Sequence, residues 1–107
     1  DGQRVVFGPH NMFDAFGQDC LESRDDRVYN CHFQAGLRIY DVSDPFVPKE
    51  IVYFMPPDPE GTWFDIDEGT LFPGPHIAHA EDCIVDDRGY IYVDTYQDGL
   101  YIVRCTV

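Results

Sequence analysis

The chain has 107 residues, with 7 Lys plus Arg against 20 Asp plus Glu, giving a formal net charge of −13. So acidic a surface repels nucleic acid and anionic membranes, and neither is expected as a partner. The apolar fraction of 44% and aromatic fraction of 15% belong to one folded domain rather than an acidic disordered tail, and no run approaches the roughly 18 apolar residues of a membrane span.

Val, Ile, Tyr and Phe come in short runs broken by Gly, Asp, Asn and Pro, which is the punctuation of strands, and no helical period is present. The fold class expected is all-β. The first predicted strand covers residues 7–13 and leads into a polar loop, DAFGQDCLESRDD. Strands at 27–33, 37–42 and 48–55 follow, joined by Gln34-Ala35-Gly36 and then by DVSDPFVPKE. Pro45 and Pro48 end one strand and start the next, because proline has no N–H to give a ladder. After the irregular stretch PPDPEGTWFDIDEGTLFPGPH come strands at 80–85, 90–96 and 100–106, separated by DDRG and QDG turns. Gly36 and Gly99 fall where a short hairpin needs positive φ.

The two halves repeat. Residues 28–40 set against 91–103 give five identities in thirteen positions: Tyr29/Tyr92, Gln34/Gln97, Gly36/Gly99, Leu37/Leu100 and Ile39/Ile102. Tyr29 and Tyr92 are expected to pack between sheets with their hydroxyls hydrogen-bonded. Upstream, FGPH (7–10) is echoed by PGPH (73–76). The stretch AGLRIYDVSDPFVPKEIVYF resembles the signature of the LVIVD-repeat family of bacterial and archaeal β-propellers, strongly over 36–54 and weakly over 99–103, where the second copy lacks the Asp-Pro turn. The resemblance implies a partial β-propeller of about two four-stranded blades. Blade one spans about 5–56, a loop 57–75, and an incomplete blade two 76–107 without its outer strand. The chain would then be the carboxy-terminal part of a larger propeller, unstable as a lone monomer, with another chain supplying the remaining blades. The fold itself says little about activity.

The chemistry-bearing residues are histidines. His10, His76 and His79 lie at or just before the first strand of each unit, which in a propeller lines the central channel. His10, His79 and Glu81 are therefore candidate acid–base residues acting on a small substrate, and His10, His76, His79 and His32 candidate ligands for zinc, copper or iron. Asp82 could orient an imidazole. The i, i+3 spacing in HIAH points two rings to opposite faces of an extended strand unless the chain bends. His32 sits in a strand where the repeat has Thr95, so it fits packing better than ligation. Asp65, Asp67 and Glu68 match a calcium loop only loosely, and calcium fits less well than a transition metal. Trp63, Phe64 and Phe72 make that stretch a candidate lid.

Cys20, Cys31, Cys83 and Cys105 have no Cys-x-x-Cys spacing. Their even count fits an exported setting (extracellular, periplasmic or cell surface), with Cys20–Cys31 the plausible disulfide and free buried thiols the alternative. The sequence opens at Asp1 with neither Met nor a leader pattern, so a processed or trimmed chain is expected. No serine-nucleophile, phosphate-loop or dinucleotide motif is present. Two functions follow: a propeller enzyme with an axial histidine site, or a non-catalytic propeller that binds protein or cations.

Overall fold

The computed structural model describes residues 7–60, 78–96 and 98–107. Its regular elements are β1 (Arg27–Cys31), β2 (Leu37–Asp41), β3 (Lys49–Phe54), β4 (Ala80–Val85), β5 (Tyr90–Thr95) and β6 (Gly99–Arg104). They form two three-stranded antiparallel sheets, ordered β1-β2-β3 and β4-β5-β6, and no helix long and apolar enough to cross a membrane occurs among the described residues. The all-β expectation holds. Trp63, Phe64, Asp65, Asp67, Glu68, Phe72 and His76 lie outside the described residues.

Alternation along each strand decides which side is buried. In β2, Leu37 and Ile39 are buried while the alternating Arg38 and Tyr40 are only half-buried. In β5, Ile91, Val93 and Thr95 are buried in the same period of two. The inner faces of the two sheets meet in one core of Tyr29, Cys31, Leu37 and Ile39 against Cys83, Val85, Ile91 and Val93. Backbone bonds tie the sheets at both ends of β4. The Ala80 N–H donates to the Phe33 carbonyl at 2.9 Å, and the Glu22 N–H to the Val85 carbonyl at 2.9 Å.

Residues 7–13, expected as a continuous strand, run beside β1 as separate bridges. Phe7 pairs with Phe33 and Met12 with Asn30. Pro9 has no N–H to contribute, and Cys31 alone serves two residues: its carbonyl accepts from the His10 N–H at 2.7 Å and its N–H donates to the Asn11 carbonyl at 2.9 Å. Two residues against one is a bulge, which bends the chain and re-aims a side chain. β4 carries the same device, since its register with β5 shifts between Ala80 and Asp82, leaving Glu81 extra.

Tyr29 and Tyr92 both end on carboxylates. The Tyr29 hydroxyl donates to Glu22 at 2.5 Å and the Tyr92 hydroxyl to Asp86 at 3.1 Å. Asp86 also organises the DDRG turn, accepting from the backbone N–H groups of Arg88 (3.0 Å) and Tyr90 (2.9 Å) and from the Arg88 guanidinium (2.9 Å). Burial works against its charge, but these donors, Arg88 foremost, outweigh it and hold its carboxyl below the usual carboxylate range.

The structure corrects the disulfide expectation: all four thiols are free, with Cys20 exposed and Cys31 and Cys83 buried. Cys31 faces Cys83 across the core, because alternation turns β1 residue 31 toward the second sheet and away from the loop that holds Cys20. The neighbouring Cys83 thiol, together with burial, raises the Cys31 thiol far above its ordinary range. Titration with an aromatic disulfide reagent should therefore label Cys20 at once in the native protein, and Cys31 and Cys83 only on unfolding. Fast labelling of Cys31 would contradict this packing.

Candidate functional site

The site stands at the edge of β4 that faces the 7–13 segment. Counting back from the Met12–Asn30 and Cys83–Val93 pairs, with Asn30 and Val93 matched by the repeat, His10 and Glu81 hold the same bulged position in the two units. The FGPH/PGPH echo had instead matched His10 with His76. Equivalent bulges on neighbouring sheets turn both side chains toward the same space.

There they meet. His10 Nδ1 lies 2.9 Å from the Glu81 backbone carbonyl and 3.4 Å from its carboxylate Oε2. The other carboxylate oxygen, Oε1, is 3.1 Å from His79 Nε2. The structure brings His10, His79 and Glu81 together, with one carboxylate between two imidazoles. A carbonyl can only accept, so in neutral His10 the proton sits on Nδ1 and the Nε2 lone pair is left for a proton or a ligand. Depth is graded, as the side chains of His10, Glu81 and His79 are 36%, 20% and 7% exposed.

Several residues absent from the sequence reading fix this arrangement. The Phe33 ring sits between the imidazoles, 4.3 Å from His10 and 5.0 Å edge-on to His79. Its backbone has φ +51, a conformation rare for an aromatic residue and found where the surroundings enforce it. Its carbonyl accepts from both Gly36 and Ala80 N–H groups. Tyr96 lies on the other side of His79, at 5.6 Å between rings, and its N–H donates to the His79 carbonyl at 2.9 Å. Asp58 accepts from the Ala78 N–H at 3.0 Å. No local signal in the sequence marks Phe33, because its positive φ is set by the folded hairpin.

Burial, the largest influence on both groups, pushes the Glu81 carboxyl up and His79 down. For Glu81 the His10 charge opposes the rise while Asp94 and Asp82 reinforce it; for His79 the neighbouring His10 adds to the fall. Glu81 thus holds a proton more readily than a free carboxyl, and His79 stays neutral more readily than a free imidazole.

His32 is placed elsewhere. Its Nε2 is 3.3 Å from the Tyr40 hydroxyl, and burial, with Arg38 adding to it, lowers its pKa, so the structure gives it a packing position. Among the described residues no group of three or more His, Cys, Asp and Glu is arranged to hold a metal ion. A cavity of about 270 Å³ lies beneath the 14–26 loop, between Phe13 and Tyr29, and is lined by none of the three site residues. Comparison with protein-family models, curated proteins and solved structures gives no match.

Proposed function

We infer that the chain is part of an exported β-propeller of LVIVD type, in which His10, Glu81 and His79 form an acid–base site at the channel rim and act on a small substrate. One observation carries this reading: the two units, through equivalent bulges, present a histidine and a glutamate to each other, and the carboxylate is shared with a second, buried histidine. His10 Nε2 is the base, open to solvent. Glu81, with its raised pKa, is the group that takes up or gives the proton, and neutral His79 orients its carboxylate. A zinc, copper or iron ion would be held at His10 Nε2, with Glu81 orienting the ring from its Nδ1 side, and would act as a Lewis acid toward the substrate.

A non-catalytic propeller that binds protein or cations is the second reading, and the −13 net charge favours it. Calorimetric titration with Zn²⁺ and Co²⁺ distinguishes the versions. A metal site predicts saturable binding that weakens roughly tenfold or more in His10→Ala and in Glu81→Gln. Equal binding by all three proteins would assign the cations to the acidic surface and remove the metal site.

A further inference from the structure

Two thiols meet inside the core. Cys31 on β1 and Cys83 on β4 are 0% and 3% exposed and belong to one cluster between the sheets, and Cys83 is the largest influence on the Cys31 thiol. Sheets stacked face to face stand about 10 Å apart, whereas a disulfide needs Cα atoms within about 7 Å. Here the gap is narrowed. Phe33 and Ala80 form an antiparallel bridge between the two units, with the Ala80 N–H on the Phe33 carbonyl at 2.9 Å. Cys31 lies two residues before Phe33 and Cys83 three after Ala80, on the same side of that bridge. The extra residue in the β4 bulge, Glu81, makes up the difference. The pair is therefore level, beside a backbone contact that holds the strands close.

The other two cysteines are placed apart from the pair. Cys20 is exposed on the loop beyond the end of β4, where its carbonyl accepts from the Asp87 N–H at 3.1 Å. The Cys105 thiol accepts from Arg27 Nη1 at 3.6 Å, and Arg27 begins β1 whereas Cys31 ends it.

We propose that Cys31 and Cys83 are a disulfide-forming pair that joins the two sheets when the chain folds in the presence of a small disulfide such as oxidised glutathione. The structure holds the pair in its reduced state. While the core is still open, one thiol loses its proton and attacks a glutathione sulfur, releasing one reduced glutathione. The second thiolate then displaces the remaining glutathione and forms the S–S bond. Two protein thiols are oxidised, one disulfide is reduced, and the two protons leave on the two glutathione thiols. Once the sheets close, burial keeps the pair from further exchange. The Cys31 backbone also holds His10 and Asn11, and Glu81 lies two residues before Cys83. The bond thus fixes against each other the two segments that carry the site, whatever its chemistry.

Thiol mapping of the full chain tests this. The reduced, unfolded protein is diluted into reduced and oxidised glutathione, either in buffer or in concentrated urea, then blocked with iodoacetamide and mapped by mass spectrometry of its unreduced peptides. In buffer the link should fall on Cys31 and Cys83 and leave Cys20 and Cys105 outside it. In urea the links should scatter over the possible pairs. The oxidised protein should melt about 10 °C or more above the same protein in dithiothreitol, because the bond restricts the unfolded chain. That gap should persist in Cys20→Ala with Cys105→Ala and vanish in Cys83→Ala. Cys31 and Cys83 both blocked in buffer, links to Cys20 or Cys105 in their place, or the same scatter in buffer as in urea would overturn the proposal.

Discussion

Gly36→Ala should destabilise the protein by about 3 kcal/mol or more, and Gly99→Ala, its partner in the repeat, by only about 1 kcal/mol. Both glycines have positive φ, +73 and +85, so both substitutions carry the backbone cost of a side chain in that region. Only Gly36 adds a collision. A Cβ there would stand 2.3 Å from the Phe54 carbonyl oxygen and 2.8 Å from Met55 Sδ, whereas at Gly99 it would meet nothing within 4 Å. Met55 can swing away, but the Phe54 carbonyl cannot, since Phe54 pairs with Leu37 across the β2–β3 ladder. Gly36→Val should be worse still, through loss of the β2–β3 register. Urea unfolding of the two alanine variants is the check, and equal losses would contradict the close approach of β3.

Leu37→Ala should lose about 2–5 kcal/mol, while Leu100→Ala should stay within about 0.5 kcal/mol in the monomer. Leu37 is fully enclosed between the sheets; truncating it leaves a cavity that two hydrogen-bonded sheets cannot close. Leu100 already faces water, so its removal forfeits little burial. Chemical denaturation at low protein concentration reads the difference directly. A large loss for Leu100→Ala in the monomer would mean that the β4–β6 face is covered within the chain.

These paired contrasts mark where the sequence stops being informative. The strand pattern, the hairpin glycines and the candidacy of His10, His79 and Glu81 were legible, because alternation, turn chemistry and position before a strand are local properties. Leu37 and Leu100 are indistinguishable by such rules. What separates them is whether another sheet lies against them, and that is a long-range fact. The continuous strand expected over residues 7–13 gave way to bridges because one extra residue in a bulge shifts every later side chain to the opposite face. The Cys31–Cys83 contact was hidden likewise, since it joins residues on different sheets with no spacing rule between them.

The most direct test of the shared-carboxylate site is a histidine-selective ¹H–¹⁵N NMR titration of wild type and Glu81→Gln. In the wild type, His10 should show the Nδ1–H tautomer and His79 should titrate below the ordinary imidazole range. Glu81→Gln, which keeps the size of the side chain but removes its charge, should shift the signals of both rings while leaving those of His32 in place. If both His10 and His79 keep their wild-type shifts and titration curves in Glu81→Gln, no carboxylate joins them and the site does not exist as described.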